Sequence, residues 1–272
     1  MTTLHLHLVS DSTGETVSLV GRASLAQFDD IEATEHAWRM IRNKTQVEEV
    51  LTGIENNPGF VLYTMVDDDL RRMLEDGCQR LRVPCIPILD PVVGAIGAHL
   101  GVEVHPQAGR QHVMDAEYFS RIEALNFVLS HDDGQSAWDL NQADVVVVGV
   151  SRTSKTPTCI YLANRGIKAA NVPIVPGCPL PGEVMETTNP LVVGLTKDPR
   201  QLVQIRRNRL RMLQRDEESD YIDIDTVSEE VNGARRLFNK HNWPVIDVTR
   251  RSIEETAATI LQLYNRRKEQ NP

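Results

Sequence analysis

The chain has 272 residues, 41% of them hydrophobic, with 29 Lys and Arg against 38 Asp and Glu for a formal net charge of −9. That length accommodates one large domain or two ordinary ones, and the acidic balance argues against nucleic acid as a partner. No run of 18 apolar residues and no basic, then apolar leader occurs, which predicts a soluble, unprocessed cytoplasmic chain without a membrane partner.

In chain order, "LHLHLV" reads as a strand followed by a helix from about Glu15. "IEATEHAW" then leads to "QVEEVLTGI", "FVLYTMV" to "DLRRMLEDGCQRL", and "VPCIPIL" to "VVGAIGAHL". Repeated strand and helix units predict a parallel sheet covered on both faces. Pro and Gly in "GVEVHPQAGRQHVM" mark a linker, with the boundary near residues 104–114. A helix follows in "DAEYFSRIEALNFVLSHDDG". A second alternating unit has apolar runs at 144–150, 172–175, 191–195 and 245–248, and its last helix opens at "SIEE", where Ser252 and Glu255 have capping-box spacing. The expected fold class is α/β: two α/β domains with largely parallel sheets, 1–112 and 113–272. The C-terminal one is expected to be a P-loop nucleotide-binding, kinase-like domain. The cysteines, Cys78, Cys85, Cys159 and Cys178, lack C-x-x-C spacing and read as reduced thiols, not as a zinc site.

The stretch "DVVVVGVSRTSKTPTCIYLA", Asp144 to Ala163, carries most of the chemistry. A phosphate loop of the G-x-x-x-x-G-K-[ST] type needs a buried strand, a loop whose N–H groups converge on phosphate oxygens, and a helix starting at once. Val145 to Val148 supply the strand, Gly149 the first glycine, Lys155 and Thr156 the "KT", and Pro157 suits a first helical turn. Ser154 stands where the second glycine usually is, which predicts a differently shaped loop. The bland alternative is an ordinary strand-turn-helix, but three hydroxyls, an Arg and a Lys exceed what a plain connection requires. The nucleotide-binding set is therefore Gly149, Val150, Ser151, Arg152, Thr153, Ser154, Lys155 and Thr156. Within it, backbone N–H groups from Val150 to Lys155 hold phosphate, Lys155 neutralises the transferring group, Thr156 ligates Mg²⁺, and Arg152 adds transition-state stabilisation.

Other constellations compete. "VSDSTGET", with Ser10 to Thr16, reads either as a Ser/Thr helix cap or as an anion or phosphoprotein pocket. "HDDG" reads either as a helix stop or as a catalytic turn, with Asp133 as general base and Asp132 as the alternative base or a metal ligand. The six arginines between Pro199 and Arg215, without an acid, lean toward a phosphate-facing or partner-facing surface. Asp247 reads either as an outer carboxylate behind the magnesium ligands or as a loop cap. The remaining histidines, including His5, His7, His105 and His112, lack metal-ligand spacing and read as structural.

Taken together, "SDSTGET", "RIEALNFVLSHDDG", "GVSRTSKTPTCIYLA", "KAANVPIVP" and "GLTKDPRQLVQIRRNRL" resemble, in this order and over nearly the whole chain, the pyruvate, phosphate dikinase regulatory proteins, a family that includes phosphoenolpyruvate synthase regulators. The resemblance implies a bifunctional serine/threonine kinase and pyrophosphorylase. Such an enzyme uses ADP to phosphorylate a dikinase threonine and inorganic phosphate to remove that phosphate as pyrophosphate. The implied partner is pyruvate, phosphate dikinase, or alternatively phosphoenolpyruvate synthase. A small-molecule P-loop kinase and a non-catalytic nucleotide-binding regulator remain alternative readings of the residues. The oligomeric state is left open, a homodimer included.

Overall fold

A computed structural model describes residues 2–105, 107–109, 116–213 and 220–270. Pro106 and 110–115, within the expected linker and including His112, lie outside the described residues, as do 214–219, including Arg215. The chain separates into two compact units, divided after residue 113.

The N-terminal unit runs β1 (Thr2–Ser10), α1 (Glu15–Leu25), β2 (Ile31–Trp38), α2 (Lys44–Asn56), β3 (Phe60–Thr64), α3 (Asp68–Leu81), β4 (Cys85–Pro87) and α4 (Asp90–Leu100). Its four strands are parallel in the order β2-β1-β3-β4. Central β1 alternates: Leu6 and Leu8 pack against Val17 of α1, while Val9 joins the cluster of Val47, Val50 and Leu74 from α2 and α3. His7 takes a core position on that second face.

The C-terminal unit begins with α5 (Ala116–Ser130) and two 3₁₀ turns, Asp132–Gly134 and Ala137–Gln142. Then come β5 (Val145–Val150), α6 (Lys155–Ala163), β6 (Ala169–Ile174), α7 (Gly182–Glu186), β7 (Leu191–Thr196), α8 (Pro199–Met212), α9 (Ile224–Lys240), β8 (Val245–Asp247) and α10 (Ile253–Gln270). Its parallel order, β6-β5-β7-β8, repeats that of the first sheet. The run "VVVVGV" is buried throughout because helices cover both faces. Val145 and Val147 enter one core cluster with Cys159, Leu162 and Ile260, whereas Val146, Val148 and Val150 enter another with Leu202, Val231 and Phe238. The expected capping box forms: Ser252 N donates to Glu255 Oε2 at 2.8 Å and Glu255 N to Ser252 Oγ at 3.1 Å, a pairing worth about 1 kcal/mol.

In each unit the chain leaves the first strand toward one side of the sheet and returns to the other. The direction switches between β1 and β3 and again between β5 and β7. In open α/β sheets, ligands bind beyond the carboxyl ends of strands at such a switch.

Candidate active site

Four residues connect β5 to α6 at this point: Ser151, Arg152, Thr153 and Ser154. Gly149 closes the strand where nothing larger fits, since a Cβ there would lie 2.7 Å from the Leu195 carbonyl oxygen and 2.9 Å from Thr153 Oγ1. Thr153 is wholly buried and donates to the Val150 carbonyl at 2.9 Å, tightening the turn from inside. Arg152 and Ser154 have φ of 71° and 63°. Ser154 thus adopts the left-handed conformation that a glycine would favour, so the missing glycine does not remove that conformation from the loop. Such a conformation costs a residue with a β-carbon roughly 1–2 kcal/mol. Helix α6 then starts without a side-chain cap at Ser154, presenting a helix N-terminus of the kind that attracts anions.

Lys155, the first residue of that helix, is 6% exposed and donates from Nζ to the Val150 carbonyl at 3.0 Å. Burial pushes its pKa down to about 8, against the opposing pull of Asp133, Cys159 and Asp132. The side chain is therefore a cation held under the loop in a site that penalises unpaired charge, a setting that favours an incoming phosphate.

The "HDDG" turn comes to the same place. Asp132 Oδ1 accepts from Thr156 Oγ1 at 2.9 Å and from Asn171 Nδ2 at 2.6 Å. Asn171 Nδ2 lies 3.0 Å from Thr156 Oγ1 and 3.3 Å from Asp133 Oδ1. Asp133, at φ 51°, is exposed, whereas Asp132 is partly buried. Behind the turn, the buried His131 ring stacks on Phe127 with centroids 3.7 Å apart. Its nitrogens lie 2.8 Å from the Phe127 carbonyl and 2.5 Å from Asp139 Oδ1. His131 braces the turn.

The arginine-rich segment divides. Arg206 of α8, 1% exposed, is turned into the protein and not toward a surface. It is paired with Glu230 of α9 at 2.6 Å, lies under the Tyr221 ring at 4.5 Å, and donates to the Tyr221 carbonyl at 3.0 Å and the Ser151 carbonyl at 3.4 Å. Tyr221 in turn places its hydroxyl 3.1 Å from Ser151 Oγ. Arg200 and Arg209 are exposed. Asp247 holds Thr249 and lies 3.5 Å from Arg235, and these partners keep its carboxyl below the usual range despite partial burial; this is the loop-cap geometry. Sequence reasoning passed over Asn171, Tyr221 and Glu230. A polar residue inside the buried run "AANVPI" was the available signal for Asn171.

The other switch point, at "SDSTGET", opens into a cavity of about 430 Å³ lined by Ser10 to Thr16, Thr64, Arg71, Asp90 and His105 among others. The helix cap expected of its Ser and Thr residues is not formed, because the N-cap of α1 is Gly14, with φ 78° and no side-chain cap. Asp11 bridges the switch by accepting from Val66 N at 2.7 Å, and burial raises its pKa.

A strand, a tight loop, an uncapped helix with a buried lysine at its start, and two carboxylates beside a threonine are, in an α/β protein, the parts that a phosphate site would draw on. The comparison with known families agrees: residues 6–261 match the model of the kinase/pyrophosphorylase family. A protein of Paramagnetospirillum magneticum, described as a pyruvate, phosphate dikinase regulatory protein, is 58% identical over 98% of this chain and 86% of its own length. Proteins of the same description from Caulobacter vibrioides and Rhodospirillum rubrum are 54% and 55% identical, over 97% and 95% of this chain and 84% and 94% of their own lengths. The chain belongs to the kinase/pyrophosphorylase family, a family of phosphotransferases that use nucleotide and phosphate.

Proposed function

We propose that this protein phosphorylates a threonine of pyruvate, phosphate dikinase with ADP and removes that phosphate with inorganic phosphate. Both reactions are placed at the loop 149–156 of a C-terminal nucleotide-binding, kinase-like domain. The observation that carries this reading is the convergence of Lys155, Thr156, Asp132 and Asp133 on one loop. In the forward direction the threonine oxygen attacks the β-phosphorus of ADP, AMP leaves, and the hydroxyl proton passes to Asp133, the exposed carboxylate. In reverse, an oxygen of inorganic phosphate attacks the phosphothreonine phosphorus, pyrophosphate forms, and Asp133 returns the proton to the threonine oxygen. Both are in-line transfers, and both use Lys155 and Arg152 against the equatorial charge.

The hard oxygens of Thr156 and Asp132 suit Mg²⁺, which takes one or two protein ligands and completes its shell with water and phosphate. Those two residues would hold it, and it would supply charge neutralisation between phosphates. No group of three His, Cys, Asp or Glu with metal-binding geometry occurs among the described residues, and Mg²⁺ in such a role requires none.

The test is transfer of label from [β-³²P]ADP to purified pyruvate, phosphate dikinase and, separately, to phosphoenolpyruvate synthase. Label on the dikinase threonine is expected. Label on the synthase alone would reassign the target, and label on neither protein would overturn the reading.

A further inference from the structure

Asn171 sits in the middle of β6, 1% exposed, between Ala170 and Val172, both buried. A valine would satisfy the strand there, so the amide calls for an explanation. Its Nδ2 carries two hydrogens. The shorter contacts are to Asp132 Oδ1 at 2.6 Å and Thr156 Oγ1 at 3.0 Å, and Asp133 Oδ1, at 3.3 Å, gets the weaker share. The Thr156 hydroxyl donates to the same Asp132 oxygen at 2.9 Å, which closes a triangle of Asn171, Thr156 and Asp132.

The other end of the amide, Oδ1, is buried and has no partner among the described residues. Turning the amide over would move that oxygen to the Asp132 carboxylate, acceptor against acceptor, so the carboxylate fixes the orientation and leaves Oδ1 stranded. An asparagine retained only to satisfy the strand would pair both ends. The backbone is pinned separately, by Asn171 N donating to the His131 carbonyl at 3.0 Å, so the turn has an anchor independent of the side chain.

We propose that Asn171 is a positioning residue for phosphoryl transfer. Its amide commits Asp132 to Thr156 and leaves the adjacent Asp133 to meet the acceptor hydroxyl. The two neighbouring carboxylates already differ in exposure, and the amide widens the difference by donating strongly to the partly buried one and weakly to the exposed one. This inference rests on the site assignment proposed above.

The experiment measures ADP-dependent phosphorylation of the dikinase by full-length variants, with kcat and KM separated and melting temperature as a control. Asn171→Ala is expected to lower kcat by at least ~10-fold through misplacement of the carboxylates, with KM for ADP within about threefold of wild type. Asn171→Asp keeps the shape but sets three carboxylates together, and should be worse. Combining it with Asp132→Asn exchanges donor and acceptor across the 2.6 Å contact and moves the proposed Mg²⁺ carboxylate to position 171, still beside Thr156, and should recover at least ~10-fold over Asn171→Asp alone. A purely packing role predicts no such recovery. If Asn171→Ala retains kcat within about threefold of wild type, or the exchange fails to rescue, the proposal is wrong. Should Asn171→Ala not fold, the isosteric exchange decides alone. Wild-type turnover in Asp133→Asn would instead remove the underlying site assignment, and this proposal with it.

Discussion

Two loops occupy equivalent places in the two units. Asp11 to Gly14 links β1 to α1, and Ser151 to Ser154 links β5 to α6. Each has four residues, and each ends in a left-handed residue that starts its helix without a side-chain cap. The sheets share one strand order. What differs is the chemistry mounted on this frame. The first helical residue is Glu15 in one unit and the buried Lys155 in the other. Three residues before the end of the central strand, the neighbouring strand presents His36 opposite His7 in one unit and Asn171 opposite Val147 in the other. The comparison teaches that the turn and the bare helix end belong to the fold, while charge and acid–base capacity belong to side chains placed on it.

The sharpest way to break this contrast is to remove the lysine. Lys155→Ala should lower both ADP-dependent phosphorylation and phosphate-dependent pyrophosphate release by ~10³-fold, because it deletes a cation acting in a desolvated site. Ser12→Ala at the equivalent loop should leave both within about threefold, judged against the scale of a lost catalytic donor. Loss of pyrophosphate release in Ser12→Ala alone would give the two reactions separate centres. Next in size, Asp133→Asn should reduce turnover ~10²-fold with nucleotide affinity nearly unchanged, measured by isothermal titration alongside kinetics. Near-normal turnover would return "HDDG" to a helix stop.

The two units should also answer pH in separate windows, each gaining stability as pH rises. Above pH 8 or so, Lys155 loses its proton in the free protein, so nucleotide affinity should fall by up to ~10-fold per unit, and Lys155→Ala should flatten that limb. The folded protein then binds fewer protons than the unfolded chain between about 8 and 10.5, so the lysine's burial cost fades as pH rises through that window.

His7 gives a change of the same sign in a more acidic window. It lies among His36, His5 and Trp38, with Nε2 donating to the Asn57 carbonyl and Nδ1 accepting from Trp38 at 3.2 Å. Burial, together with the neighbouring His36 and His5, holds its pKa below 6.5 against the Asn57 bond. Its contribution is present above 6.5 and is lost as pH falls from there toward the lowered value. Thermal melts should show the N-terminal unit weakening on acidification, and His7→Gln should blunt the effect.

The smallest effect concerns the left-handed positions. Ser154→Gly relieves a strained residue but frees the unfolded chain, and should change stability by less than about 1 kcal/mol. Gly14→Ser forces a β-carbon to φ 78° within 3.3 Å of Arg39 Cγ, and should cost about 1–2 kcal/mol. Urea midpoints measure both.

Periodicity made the sheets and the order of their helices legible. "VVVVGV" allows little else when both faces are buried, and Gly149, Lys155 and Thr156 declare themselves by spacing. The site was legible only where its residues are close in sequence. Asn171 reaches Asp132 across 39 residues, and nothing in "AANVPI" says which carboxylate faces it. Ser154 misled because a missing glycine was taken to mean a missing conformation, whereas the packing around Thr153 and Gly149 holds the turn whichever residue stands there. The arginine run was a guide to Arg200 and Arg209, which are exposed, and not to Arg206, because a count of like charges does not reveal that Glu230, on the next helix, takes one of them inside.

That buried pair has a consequence for how the protein is made. Ser151 is held through its carbonyl by Arg206 and through its hydroxyl by Tyr221, and Arg206 is neutralised by Glu230. A ribosome delivers residue 151 well before 230, so the nascent loop exists for a time without its strut. A chain arrested after α6 carries every residue of the phosphate-loop motif and none of these braces. The strut under this loop is therefore complete only late in synthesis, when α9 docks and Glu230 meets Arg206, and Arg206 loses its counter-ion if α9 is the first element to leave.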